Sequence, residues 1–117
     1  MEYSMSLSGQ QREFTNDISQ LILMANRLQI GLTFGEAYRT RYQQDKYVKD
    51  GKSKTMKSNH LKRLAVDFNF FIDGKLTYEK EDIQELGDFW ESLNPQNKWG
   101  GNYTNFIDTP HFERIQK

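Results

Sequence analysis

Two histidines, His60 and His111, and three carboxylates, Asp67, Asp108 and Glu113, are the residues of this chain whose types and spacing suit joint chemistry. Asp67 follows His60 by seven residues, Asp108 precedes His111 by three, and Glu113 follows it by two. A catalytic zinc takes three N/O ligands from the protein and keeps one position open for water. A carboxylate nearby that does not ligate takes a proton from that water. His60, Asp67 and His111 are the right types for the three ligands, and Asp108 for the base. The residues alone leave the ordinary alternative open, in which a buried strand Asp pairs with Lys or Arg and the two histidines are unrelated. The helical His-Glu-x-x-His motif is absent.

The elements that must position these groups are legible as patterns. Leu64–Ile72 is the strongest strand signal: Leu64, Val66, Phe68 and Phe70 point one way, Ala65, Asp67 and Asn69 the other. Asp73-Gly74 predicts a hairpin turn and Lys75–Thr77 a return strand. His60 falls at a loop-to-strand junction and His111 heads a final strand to Ile115, both in extended contexts. Ser8-Gly9-Gln10-Gln11 fits a capping box with Ser8 as the cap. Behind it Phe14, Ile18, Leu21, Ile22, Ala25 and Leu28 form one apolar helix face that stops near Gly31. Leu32–Tyr38 reads as a short strand and Thr40–Val48 as a second helix. Asp50–Ser58 reads as a loop. A third helix starts at Thr77 or Tyr78, uses Ile83, Leu86, Phe89, Trp90 and Leu93, and is stopped by Asn94-Pro95. Trp99–Tyr103 reads as a turn-rich loop. The expected fold is α+β, with helices packed on a small antiparallel sheet.

The whole chain, 1–117, is expected to be a single catalytic domain, and composition narrows the rest. With no Cys, thiol chemistry, disulfides and Cys-ligated metals are excluded. Aromatics make up 14%, which predicts a core of few but bulky side chains. No run of about 18 apolar residues is present, so no membrane insertion is expected. The first residues, MEYSMSLSGQQREF, lack the apolar region of a signal peptide. Net charge is zero, yet residues 39–63 hold nine basic and two acidic residues between acidic flanks. That segment is either an anion-facing surface or a solvated loop. It carries Tyr42 and Tyr47, so a non-catalytic module binding wall polymer or nucleic acid is a second reading. It holds no established reading motif and the remaining chain is acidic, so no nucleic-acid partner is expected.

Ser58-Asn59-His60-Leu61-Lys62-Arg63-Leu64-Ala65-Val66-Asp67 resembles the Ser-x-His-x6-Asp signature of the zinc peptidoglycan peptidases. That family includes VanY-type D-alanyl-D-alanine carboxypeptidases and the L-alanyl-D-glutamate endopeptidases used as phage endolysins. Asp108-Thr109-Pro110-His111-Phe112-Glu113 resembles the second half of the signature, with the Asp of the phage endopeptidase branch. Arg39-Thr40 with Gln44, and Trp99-Gly100-Gly101, resemble further family segments, so the similarity runs from about Leu32 to Glu113.

The resemblance implies zinc held by His60, Asp67 and His111, with Asp108 as general base. It gives Arg39 to a carbonyl oxyanion or a substrate carboxylate, against the alternative of a surface ion pair. Ser58 binds substrate or orients the loop, Gln44 is structural or bonds substrate, and Trp99 lines the cleft or joins the core. Glu113 either holds an imidazole tautomer or pairs with a Lys or Arg. The implied reaction is hydrolysis of the peptidoglycan stem peptide at L-Ala–D-Glu, with D-Ala-D-Ala carboxypeptidase activity as the alternative. The implied setting is phage or prophage lysis by a monomer made in the bacterial host cytoplasm, which acts on the cell wall after release by a holin-like partner. Lys46–Lys57 forms a basic rim for anionic wall polymer or a solubilising face. Arg63 departs from the family, whose members often have Gly there. A position needing positive φ disfavours Arg, so the turn is expected to differ locally.

Overall fold

The computed structural model describes residues 6–51 and 58–116. Helix α1, Leu7–Arg27, starts at Ser6, whose Oγ accepts from Gly9 N at 3.1 Å. Ser6 rather than Ser8 is therefore the cap. Phe14, Ile18, Leu21 and Ala25 are the buried apolar positions, at steps of three and four. The helix closes with Gln29 N on Asn26 O and Ile30 N on Ala25 O, with Gln29 at φ 61°. This is a Schellman closure in which Gln takes the left-handed position that Gly usually fills.

β1 (Gly31–Phe34) leads to α2 (Arg41–Lys49), capped by Thr40, whose Oγ1 accepts from Gln43 N at 3.1 Å. A 3-10 turn over Asn59–Lys62 precedes β2 (Ala65–Ile72). Asp73 and Gly74, both at positive φ, make the type I′ geometry that turns β2 into β3 (Lys75–Thr77). Then come α3 (Lys80–Leu93), β4 (Asn97–Trp99), a second 3-10 turn (Gly100–Asn102) and β5 (His111–Arg114).

The sheet is antiparallel with order β1-β2-β5-β4, and β3 also pairs with β2. This is the expected α+β architecture. β4 is the element the pattern missed, since Asn-Lys-Trp carries no alternation to read. β1 is shorter than the expected Leu32–Tyr38.

The two faces of β2 divide core from site. Leu64, Val66, Phe68 and Phe70 are buried with Ile83, Leu86 and Trp90 of α3 and the α1 face. Phe112 stands at the centre, with ring centroids of Phe68, Phe70, Trp90 and Trp99 at 6.0–6.4 Å. The core is thus built on aromatics, as the composition suggests. Ala65, Asp67 and Asn69 face the other way.

An ion cluster around the buried Arg114 fixes the helical layer to the sheet. Arg114, only 1% exposed, reaches Glu13 at 2.8 Å and Asp17 at 2.5 Å on α1, and its Nε donates to Asn97 Oδ1 at 3.1 Å. A buried cation with this many partners is tolerated because its donors are satisfied.

Candidate metal centre

The register of β2 against β5 sets Ala65 opposite Glu113, Val66 opposite Phe112, and Asp67 opposite His111. Residues directly opposite in an antiparallel pair project to the same face. The burial of Val66 and Phe112 on the core side therefore sends Asp67, His111 and Glu113 to the other. His60 joins them from the 3-10 turn, whose first turn is capped by Ser58 Oγ accepting from His60 N at 3.2 Å. His60 thus sits in a helical turn, not in extended chain, and is 2% exposed.

His60 Nε2 lies 3.3 Å and His111 Nδ1 3.0 Å from Asp67 Oδ1. One ligand atom from each of the three residues lies within 4.8 Å of the others. The remaining ring nitrogens are engaged. His60 Nδ1 is 3.3 Å from Ala37 O, which only accepts, so this nitrogen donates there and Nε2 is the one that faces Asp67. His111 Nε2 donates to Glu113 Oε1 at 3.1 Å, which leaves Nδ1 for Asp67. Two imidazole nitrogens and a carboxylate oxygen thus converge on one point, an arrangement that repels itself unless a proton or a cation lies among them. The donor set fits a zinc-type ion, and the outer partners on both histidines are those that orient metal-bound imidazoles.

The electrostatics express the same demand for positive charge. Burial works to raise the Asp67 carboxyl, but the bonds from His111 and His60 outweigh it and hold it far below the usual range. Burial works to lower His111, yet Asp67 and Glu113 on its two nitrogens lift it to about 9. Glu113, against its own burial, is drawn down to about 2 by His111, Tyr103 and Asn59. Asp108 moves the opposite way: burial pushes its carboxyl up, His111 and His60 pull it back, and Asp67 and Glu113 add to the rise. Of these carboxyls it alone is shifted upward.

Asp108 is placed by the second 3-10 turn. Its N donates to Gly100 O at 2.9 Å, and a Cβ on Gly100 would come within 2.2 Å of Asp108 O, so only glycine allows this approach. Trp99, one residue earlier, is completely buried and donates from Nε1 to Thr109 O at 2.8 Å. Its ring lies so close to Gly87 and Gly101 that a Cβ at either would overlap it. Trp99 therefore belongs to the core and does not line a cleft; it holds the Asp108 segment from below.

Arg39 is not a surface ion pair, being held in a partly buried network. Its Nε donates to Glu36 Oε1 at 2.5 Å, Nη2 pairs with the same carboxylate, and Nη1 donates to Gln44 Oε1 and reaches Ser58 Oγ at 3.4 Å. The guanidinium also lies 4.8 Å over the Tyr47 ring, and Arg39 N donates to His60 O at 3.3 Å. Gln44 is fully buried and accepts from Arg39 within this network. Ser58 orients the His60 turn. Glu36, which also accepts from Tyr47 at 3.2 Å and lies 3.9 Å from His60 Nδ1, organises this side and was not singled out by the sequence.

Arg63 overturns the expectation of a different turn. It closes the His60 turn at φ 57° and ψ 36°, so the left-handed backbone is present and Arg occupies it. Its guanidinium lies 4.0 Å over the Tyr38 ring. Such contacts contribute about 0.5–1 kcal/mol at exposed sites, against about 1–2 kcal/mol for a left-handed non-glycine residue. Of the basic segment, residues 52–57 lie outside the described residues; Lys46 and Lys49 are exposed on α2, with Lys49 paired to Asp45 at 3.0 Å.

Fold and donor set together define a small α+β domain with a His-Asp-His cluster that could hold a metal ion. The model of the family described as D-alanyl-D-alanine carboxypeptidase matches residues 51–114, which include the three donors, Asp108 and Glu113. The chain belongs to that family of peptidases. It is 34% identical over 82 residues to the L-alanyl-D-glutamate peptidase of Listeria phage A118, a match covering 67% of this chain and 28% of that protein. It therefore spans under a third of the length of that relative. Its fold is that of the Serratia marcescens L-Ala D-Glu endopeptidase ChiX, with a TM-score of 0.70 and 22% identity over 98% of this chain and 90% of that one. Among the described residues, no helix is long and apolar enough to cross a membrane.

Proposed function

We propose that this domain is a zinc-dependent peptidase that hydrolyses the L-Ala–D-Glu bond of the peptidoglycan stem as the catalytic part of a phage or prophage endolysin. The observation that carries the reading is the convergence of His60 Nε2, His111 Nδ1 and Asp67 Oδ1, with both imidazoles oriented from behind. Two similar proteins are named for action on an L-Ala–D-Glu bond, which favours that bond.

In this reading His60, Asp67 and His111 hold the ion, and when bound it supplies a Lewis acid and an acidified water. Asp108, raised by burial, takes the water's proton and returns it to the departing amine. Arg39 and Ser58 hold the His60 turn. The basic segment draws anionic wall polymer toward the site. A monomer is sufficient, since every group invoked comes from one chain, and release to the wall is assigned to a holin-like partner.

The second reading is D-Ala-D-Ala carboxypeptidase activity, favoured by the family's own description. A carboxypeptidase must bind the free carboxylate of its substrate. Arg39, the nearby cation suited to that, is already committed to Glu36, Gln44 and Ser58, which weighs against this reading. The two are separated by the product: mass spectrometry of digested peptidoglycan shows either a new N-terminal D-Glu or free D-Ala.

A further inference from the structure

Glu113 is held from three elements at once. On β5 its Oε1 accepts from His111 Nε2 at 3.1 Å, and the same oxygen accepts from Asn59 Nδ2 at 2.8 Å, from the turn that carries His60. Its other oxygen, Oε2, accepts a short bond from the Tyr103 hydroxyl, at the end of the second 3-10 turn. The Glu113 side chain is 14% exposed and that of His111 is 12% exposed, so water has little access to replace these bonds. The Tyr103 ring lies 6.3 Å from the His111 ring, alongside the imidazole it steadies through Glu113.

Each contact removes a freedom that matters at His111. An imidazole on a strand turns about two side-chain bonds, and only one orientation aims Nδ1 at Asp67. Glu113 selects that orientation only if its own carboxylate is fixed. With Tyr103 or Asn59 missing, one carboxylate oxygen loses a partner in a poorly hydrated place and the group gains room to rotate. Asn59 and His60 are sequence neighbours, so the Asn59 bond also sets the distance between the His60 turn and β5.

We infer that Tyr103 and Asn59 are positioning residues for the metal centre, fixing Glu113 so that His111 presents Nδ1 beside Asp67 and His60. The inference rests on the reading of His60, Asp67 and His111 as metal ligands. Neither residue is one of the three candidate ligands. Their effect passes through Glu113 and is read as metal affinity.

The test is a zinc competition titration with a chromophoric chelator on the whole chain, comparing wild type, Tyr103→Phe, Asn59→Leu, Glu113→Gln and the Tyr103→Phe/Glu113→Gln double variant. Loss of outer hydrogen-bond partners typically weakens metal affinity about 10–100-fold. Tyr103→Phe and Asn59→Leu are each expected to weaken zinc at least about tenfold, and Tyr103→Phe to add little once Glu113 is Gln. The d–d absorption of the cobalt-substituted protein is expected to shift in Tyr103→Phe, which a remote packing role would not produce. Unchanged zinc affinity and cobalt spectrum in Tyr103→Phe, with cooperative melting retained, overturns the inference while leaving the ligand assignment standing. Absence of zinc binding by wild type overturns both. Tyr103→Phe keeps the ring, and Asn59→Leu supplies a separate test should either fold poorly.

Discussion

His111 stands directly opposite Asp67 in the β2–β5 ladder, and its Nδ1 lies 3.0 Å from Asp67 Oδ1. The register that buries Phe112 beside Val66 is the same register that brings these two groups together on the opposite face. Core packing and site geometry are thus one constraint: a one-residue slip of β5 would send His111 into the core and Phe112 to the site.

The proposed base role of Asp108 predicts that its loss separates chemistry from metal binding. Asp108→Ala is expected to keep zinc at wild-type stoichiometry while peptidoglycan hydrolysis falls by about 10²–10⁴-fold, the usual contribution of a general base. Metal analysis and turbidity assays on the same preparation check this. Activity retained in the variant would remove Asp108 from the base role.

Arg63 offers a test on the backbone. Arg63→Gly relieves a left-handed conformation but loses the contact with Tyr38 and loosens the unfolded chain, three effects each on the order of 1 kcal/mol. They are expected to cancel to within about 1 kcal/mol, with activity retained. Arg63→Val places a β-branched residue at positive φ and is expected to destabilise by more than Arg63→Gly in thermal melts. Equal melting of the Gly and Val variants would show that the left-handed turn is not maintained in solution.

The extent to which the sequence discloses the site follows from which interactions are local. β2 is legible because alternation over eight residues is a long signal, and α1 and α3 because their apolar positions repeat over several turns. The types and spacing of His60, Asp67 and His111 are visible, but their juxtaposition depends on a register between residues 44 apart. Asn59, Tyr103 and Glu36 act through side-chain hydrogen bonds between different elements, which leave no periodic trace. Trp99 is ambiguous for a related reason: its burial depends on two glycines, Gly87 and Gly101, that make room for its ring from different elements. The buried Arg114 cluster is equally silent, since Arg at the end of a short strand reads as exposed.

In metal-free protein, kept in chelator, His111 makes stability depend on pH. Its folded value of about 9 lies above the ordinary 6.5, so between these values the folded chain holds a proton that the unfolded chain releases. The contribution is complete below pH 6.5 and is lost as pH rises through 9. Urea denaturation is therefore expected to give a falling stability from pH 6.5 to 9, and His111→Gln to flatten that slope. A wild-type stability that stays level or rises over this window would contradict the charge arrangement described for the site.

The central claim is that this His-Asp-His centre cuts the L-Ala–D-Glu bond, and the most direct test is mass spectrometry of peptidoglycan digested by the zinc-loaded protein. The expected products are stem peptides with a new N-terminal D-Glu, absent when chelator strips the metal and restored when zinc is returned. Free D-Ala in place of those products, or the same products from His60→Ala in chelator, would contradict it.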